Sequence, residues 1–423
     1  LAENTDFARL LEAVEEPKWL TSLRLTAYEQ FMKMEWPTPK EEEWRRTDIT
    51  GIDFASFKQP DFMRGKGIES RLRGKNQHED DVPGISVRSL CRGSYGEGDS
   101  LRRILYGQMN SFDNRLIAWN CAMFDRGAYV VVPEGYQGEE VVYLTVFAEE
   151  GGYYTLPRIV VEARRNSRAT VVVSFVDGSK SEGQSLVNGG IDVSVGEDAR
   201  LKLYVIQNVS ANTLFFGNGS MEVARGGHLE SFESHFGGSL VKTRLTCSLD
   251  GEGSEAYLRG AYFPTGKQHM DIRTVQKHRS GHTNSRLFYK GAVKDSGRAV
   301  YQGLIEVFEG AEKTDAYLTD KNLILNDGAR ADSIPTLKIR NNDVRCRHGS
   351  TTGKINEDEL YYLETRGIER REAERMLVAG FFNEVTEVTE VTEVTEEAGT
   401  KGSADVAGKG VAAEVASLVE SRI

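Results

Sequence analysis

A mainly β chain with helical ends is the fold class this sequence predicts, on three observations. From Tyr129 to His348 the texture is one of short runs rich in Val, Leu, Phe, Tyr and Thr, such as YVVVPEG, RIVVEAR and ATVVVSFVDG, which suit a pleated, half-buried backbone. Turn signals recur ahead of such runs: NSRATVVV near 166, GEDARLKL near 196, GGHLESF near 226, GSEAYLRG near 253, SGRAVYQG near 296 and GARADSIP near 328, so starts fall roughly 27 to 43 residues apart. The flanking segments instead space their apolar residues by three and four, as amphipathic helices do. A recurrence of this length suits a β-solenoid, whose coils bury little alone and gain a core by stacking. A sandwich would leave similar strands, so the pattern by itself leaves both open.

Three regions follow in order. Residues 1–126 read as helical through FARLLEAVEE, LTSLRLTAYEQFMKM and LRRILYGQMNSFDNRLIAWNCAMF. Within them, residues 62–82 mix charge and glycine without period and read as a mobile connection. Residues 127–352 hold the strands. In 353–423, Asn356 is placed to cap a helix through NEDELYYLETRG, with acids in its first turn and Gly367 to close it. A second helix spans about 369–384. Leu360, Tyr361, Leu363, Met376, Leu377, Phe381 and Phe382 can pack this hairpin or receive a partner helix. EVTEVTEVTEVTE (384–396) repeats every three residues, matching neither a helix face nor strand alternation, and reads with its neighbours to 400 as a solvated acidic linker before a closing helix, GVAAEVASLVESRI.

Length and charge narrow the classes. A chain of 423 residues, 39% hydrophobic, can bury a sizeable core, while a net charge of -11 argues against broad nucleic-acid or anionic-membrane binding. No apolar run approaches the roughly 18 residues of a membrane span, and the amino terminus is acidic where a signal peptide is basic. A cytoplasmic protein is expected, or one of an organellar stroma if a transit peptide preceded Leu1. Cys91, Cys121, Cys247 and Cys346 form no CxxC pair or disulfide framework, which fits a reducing compartment. Cys121 and Cys247 read as core residues and Cys91 as an inert loop thiol.

Catalytic patterns are missing. No GxxxxGK followed by Ser or Thr offers a phosphate cradle, so ATP is not expected on this chain. His278 and His282 lack the glutamate of HExxH and, with His269, read as surface or turn residues. Glu357 and Glu359 fit a helix start better than acid–base work, and no Ser-His-Asp arrangement emerges.

The candidate chemistry lies in NNDVRCRHGS. On an extended backbone Cys346 and His348 share one face, about 7 Å apart, while Arg345 and Arg347 point to the other. Two soft donors are fewer than the roughly four a stable zinc or iron–sulfur site takes, so the remainder must come from elsewhere in the chain or from a partner. A thiol packed beside a backbone-bonded histidine is the alternative. The arginines would favour thiolate only if their charge reached across the strand.

From about 255 to 382 the chain resembles the SufB/SufD family of iron–sulfur cluster assembly scaffolds, specifically its SufD branch. The resemblance is carried by Asp271, Arg273 and Thr274 in HMDIRTVQKH, by GHTNSRLFYKGAVKDSGRAVYQGLIEV and KTDAYLTDKNLIL, and by DVRCRHGSTTGKI followed by LYYLETRGI. WPTPKEEEWRRTDI (36–49) adds an amino-terminal match. Family membership implies a right-handed parallel β-helix flanked by helical domains, which decides between solenoid and sandwich. It implies a non-catalytic scaffold that pairs with SufB through the solenoids, or with itself in isolation, and docks the SufC ATPase on the carboxy-terminal helices. Cys346 and His348 would then offer transient ligands to iron or a nascent cluster at the SufB interface, with ATP on SufC, reduced flavin in the complex and no stable cofactor on this chain. A SufB-like scaffold is the near alternative, but where SufB carries Gln-Cys-Asp-Ser this chain reads LTDKNLIL, with Asp320 and Lys321 and no thiol. The glutamates flanking the SufB histidine appear here as Arg347 and Gly349. A β-helix carbohydrate-active enzyme is the distant alternative and would predict secretion and a groove of clustered acids. The EVT repeat departs from the family.

Overall fold

Strand follows strand from Arg126 to Lys354 in the computed structural model, which describes residues 2–14, 16–60, 68–73, 81–82, 84–91, 99–109, 112–178, 183–386 and 411–423. The chain winds as a β-solenoid of about eight turns, with helices before and after it. Each coil gives one strand to each of two sheets. The first contains β1 (Ile68–Arg73), β5 (Val141–Ala148), β8 (Arg168–Asp177), β10 (Arg200–Asn208), β12 (His228–His235), β14 (Glu255–Tyr262), β16 (Asn284–Val293), β18 (Asp315–Ile324) and β20 (Arg345–Lys354). The second contains β2 (Asp81–Val82), β3 (Ile85–Ser89), β4 (Arg126–Val132), β7 (Pro157–Ala163), β9 (Ser185–Val195), β11 (Thr213–Val223), β13 (Leu240–Leu249), β15 (His269–His278), β17 (Arg298–Val307) and β19 (Arg330–Ile339); β6 (Tyr154–Thr155) pairs with β9.

Parallel pairing stacks like positions, so inner residues form columns along the solenoid. Leu229, Ala256, Ser285, Ala316 and Cys346 make one, and Ser231, Leu258, Leu287, Leu318 and His348 the next. Burying each large aliphatic side chain in such a column contributes about 1.5–3 kcal/mol.

A ladder of turns sets the coil length. Asn166, Asp198, Gly226, Gly253, His282 and Lys313 all adopt the left-handed region. Each donates its N–H to the carbonyl one coil further on, Asn166 to Glu197, Asp198 to Arg225, Gly226 to Glu252, Gly253 to Gly281, His282 to Glu312 and Lys313 to Asp343, at 2.7–3.2 Å. These bonds offset the cost of φ > 0 at the non-glycine positions. The irregular 27-to-43 spacing in the sequence has a plain origin: turns near 166 to 253 lie on this edge, whereas those near 296 and 328 precede β17 and β19 on the opposite edge.

The two ends of the solenoid differ. Antiparallel β1 covers β5 at the amino-terminal end, and antiparallel β3 covers β4. At the other end, among the described residues, β19 and β20 each have a single neighbour, leaving one edge of backbone groups without a strand. Six residues of the 62–82 stretch, expected to be a mobile connection, are therefore the capping strand β1; their backbone pairing with β5 outweighs their polar side chains.

Four helices, α1 (Ala2–Ala13), α2 (Lys18–Lys33), α3 (Asp99–Met109) and α4 (Arg115–Met123), lie on the amino-terminal side. Phe31, Trp36, Phe54 and Trp119 form an aromatic group that meets Phe216 of β11. The EEEWRRT segment docks on sheet two: Thr47 donates to Asp271, Lys242 pairs with Asp271 at 2.9 Å, and Glu43 meets Arg244 and Arg273. Asp271 and Arg273, prominent in the family resemblance, are thus anchors for the amino-terminal segment.

After the solenoid come α5 (Glu357–Thr365), α6 (Arg370–Thr386) and α7 (Val411–Glu420). Asn356 caps α5 by accepting from the Asp358 N–H, and Gly367 has φ +85, as their sequence positions predict. Val378, Phe382 and Val385 of α6, with Val411, Val415 and Val419 of α7, pack on Phe232, Phe263 and Ala292 of sheet one and its turns. The first residues of the EVT repeat belong to α6, where Glu384 pairs with Lys290 and Lys321 and Val385 is buried. The rest of that repeat lies outside the described residues.

Candidate metal and partner site at the open end

Two inner columns that carry Leu and Ala through the solenoid end in Cys346 and His348 on the last strand. Cys346 is half-buried against the core and His348 is exposed. Alternation along β20 places both on its inner face, as the spacing predicts, with Arg345 and Arg347 outward. Burial, and then the Asp315 carboxylate, push the Cys346 thiol up. The arginines therefore do not favour thiolate: Arg347 lies over the Tyr317 ring at 5.3 Å, on the other face. No group of three His, Cys, Asp or Glu side chains converges on a metal position among the described residues. The donor set at this end is one thiol and one imidazole, short of a complete iron or cluster shell.

Beneath the site lies a buried carboxylate that sequence reading missed. Asp320, one coil below Ser350, accepts from Tyr262 at 3.1 Å, Asn322 at 2.9 Å and Ser350 at 3.4 Å, and the Ser350 hydroxyl lies 2.7 Å from that of Ser333. Burial pushes its carboxyl up to about 6. Deeper in the lumen Glu233 accepts from Tyr289 at 2.7 Å and meets His235. Glycines make room for the rings: a Cβ on Gly260 would fall 2.2 Å from Tyr289, and one on Gly291 1.9 Å from Tyr262. The available signal was alternation, since Glu233 and Asp320 stand at even spacing from Leu229 and Leu318 and so share their inner faces.

The other cysteines behave as expected. Cys91, Cys121 and Cys247 are buried, and burial pushes the Cys91 thiol up to about 12. The histidine reading needs correction. His282 occupies a turn and is exposed, but His278 is fully buried, its ring nitrogens hydrogen-bonded to Thr283 and Ser285, and His269 meets Thr47. Burial lowers both to about 4, so both are neutral near pH 7. The apolar β-face into which its strand runs, invisible locally, draws His278 inside.

The carboxy-terminal hairpin divides the seven candidate docking residues. Leu360 and Phe382 are buried within the chain, and Phe381 packs beside Phe382. Tyr361 and Met376 are exposed, and Leu363 and Leu377 line a surface hollow with Tyr362.

With this geometry in place, comparison with known proteins is decisive. The family model for the SUF system FeS cluster assembly SufBD core domain matches residues 146–381, more than half of the chain. The chain belongs to the SufB/SufD family. Among curated relatives, the iron-sulfur cluster assembly protein SufD of Escherichia coli K12 is 30% identical over 226 residues, 53% of each chain, which supports the SufD branch. The match thus spans about half the length of that relative. A SufBD family protein of Mycobacterium tuberculosis H37Rv is 28% identical over 72% of this chain and 75% of its own length. One from Staphylococcus saprophyticus is 24% identical over 88% and 86%. These relatives are named as cluster assembly proteins, and this SufD-like chain is an iron–sulfur cluster assembly protein of the same family. No helix among the described residues is long and apolar enough to cross a membrane.

Proposed function

We propose that this SufD-like chain is a non-catalytic scaffold subunit of a cytoplasmic SufB–SufC–SufD assembly, joined to SufB edge to edge through the uncovered end of the solenoid. The observation that carries this is the placement of Cys346 and His348 at the solenoid end that no capping strand covers among the described residues. Two donors there form half a coordination shell, and a partner edge brought against β20 would supply the rest. Iron or a nascent cluster is cargo at such a joint. Metal binding takes the Cys346 proton, and its raised thiol pKa makes occupancy fall as pH drops.

SufC docks, in this reading, on the exposed side of α5 and α6 through Tyr361, Leu363, Met376 and Leu377, while Leu360, Phe381 and Phe382 hold the hairpin to the body. ATP binds on SufC, and any reduced flavin belongs to the assembled complex. Anaerobic copurification of the chain with its SufB and SufC tests the site. Cys346→Ala or His348→Ala should lower bound iron and sulfide several-fold in an intact complex, and unchanged content would demote both residues to packing.

A further inference from the structure

A cleft of about 470 Å³ opens on the outer face of sheet two, where α3 and α4 stand over β7, β9, β11, β13 and β15. Strands β17 and β19 separate it from the open end. Most of its charges cancel in pairs. Asp192 meets Arg158 at 2.6 Å, Asp113 meets Arg244 at 2.8 Å and Asp250 meets Arg279 at 3.5 Å. One charge of each sign is left over, Glu222 and Lys277, and neither makes a hydrogen bond or ion pair among the described residues.

Register holds these two apart. Glu222, Ser248 and Lys277 face one another on β11, β13 and β15, so the opposite charges stand two strand spacings apart, roughly 10 Å. A Cβ on Gly107 of α3 would lie 3.1 Å from Glu222 Oε1, so the helix crosses the carboxylate at a residue with no side chain. Burial, and then Asp250, push the Glu222 carboxyl up, while Arg103 and Arg279 act on it only at a distance; a cation seated against it would offset both costs. Beside the pair, Asn218, Ser220 and Thr246 present an amide and two hydroxyls without partners among the described residues. Arg158 lines the same cleft, 4% exposed, with its Nε unpartnered.

We propose that this cleft binds a free peptide of two or three residues, with its ammonium on Glu222 and its carboxylate on Lys277. Two to three extended residues span at most about 7–10 Å, which matches the separation of the two charges. The amides between the ends meet Asn218, Ser220 and Thr246, the few convergent polar groups that orient a ligand in a cleft. A simple anion or cation would answer one of the leftover charges and leave the other unpaired, whereas a zwitterion answers both with charge-assisted hydrogen bonds.

Calorimetric titration of the full-length chain with diglycine and triglycine tests this, against the same peptides acetylated at the amine or amidated at the carboxylate. At least one free peptide should bind saturably, and each blocked form of it about tenfold or more weaker. Glu222→Gln should abolish the preference for the free over the acetylated peptide, and Lys277→Gln the preference for the free over the amidated one, each with circular dichroism matching wild type. Saturable binding of neither peptide would overturn the proposal. So would blocked forms that bind wild type as tightly as free ones, a comparison that needs no variant to fold. Preferences that survive both substitutions would place any peptide elsewhere and overturn it too. Cys346→Ala should leave every affinity unchanged, which separates the cleft from the open end.

Discussion

Asp320 shows how one inner position can set a pH dependence. Its carboxyl sits in the lumen without a cation and is pushed from an ordinary 3.8 to about 6. A folded-state pKa above the unfolded one gives stability that is fully present below pH 3.8 and is lost as pH rises through about 6. At about 1.4 kcal/mol per pKa unit, the loss is on the order of 3 kcal/mol. Asp320→Asn, which mimics the protonated acid, should flatten the urea-unfolding stability between about pH 4 and 7; an unchanged slope would show that Asp320 is not the group responsible. Gly260 offers a second test at this scale. Gly260→Ala drives a Cβ to 2.2 Å from the buried Tyr289 ring, and should cost about 1–3 kcal/mol in the same assay.

Elements reveal where the sequence was legible. Runs of Val, Ile and aromatic residues announced the strands, Asn356 and Gly367 announced the bounds of α5, and alternation alone put Cys346 and His348 on one face. Turn spacing was only half legible, because a residue such as His282 or Gly266 is a turn on one edge or the other depending on the sheet that follows. Strand β1 was hidden because its partner β5 lies about 70 residues away in the chain, and pairing at that distance leaves no local mark. In the carboxy-terminal hairpin, periodicity showed which residues are apolar but not which the body covers. Phe382→Ala should destabilise the chain by about 3–5 kcal/mol, whereas Met376→Ala and Tyr361→Ala should stay within about 0.5 kcal/mol of wild type while weakening SufC binding in a pull-down or titration. Retained SufC affinity in both surface variants would move the docking site elsewhere.

For the whole molecule the asymmetry between the solenoid ends matters most. Strand β20, RCRHGSTTGK, keeps the alternation of β18 but sets a thiol and an imidazole where β18 has Ala316 and Leu318; the lack of a following strand among the described residues makes these two inner positions an accessible pair. Differential alkylation of the four cysteines, in the free chain and in the SufB–SufC–SufD complex, tests the central claim most directly. Only Cys346 is less than fully buried. It alone should react in the folded free chain and should be protected several-fold once the complex forms. Equal reactivity of Cys346 in the free chain and in the complex would contradict an account in which a partner closes over the open end of the solenoid.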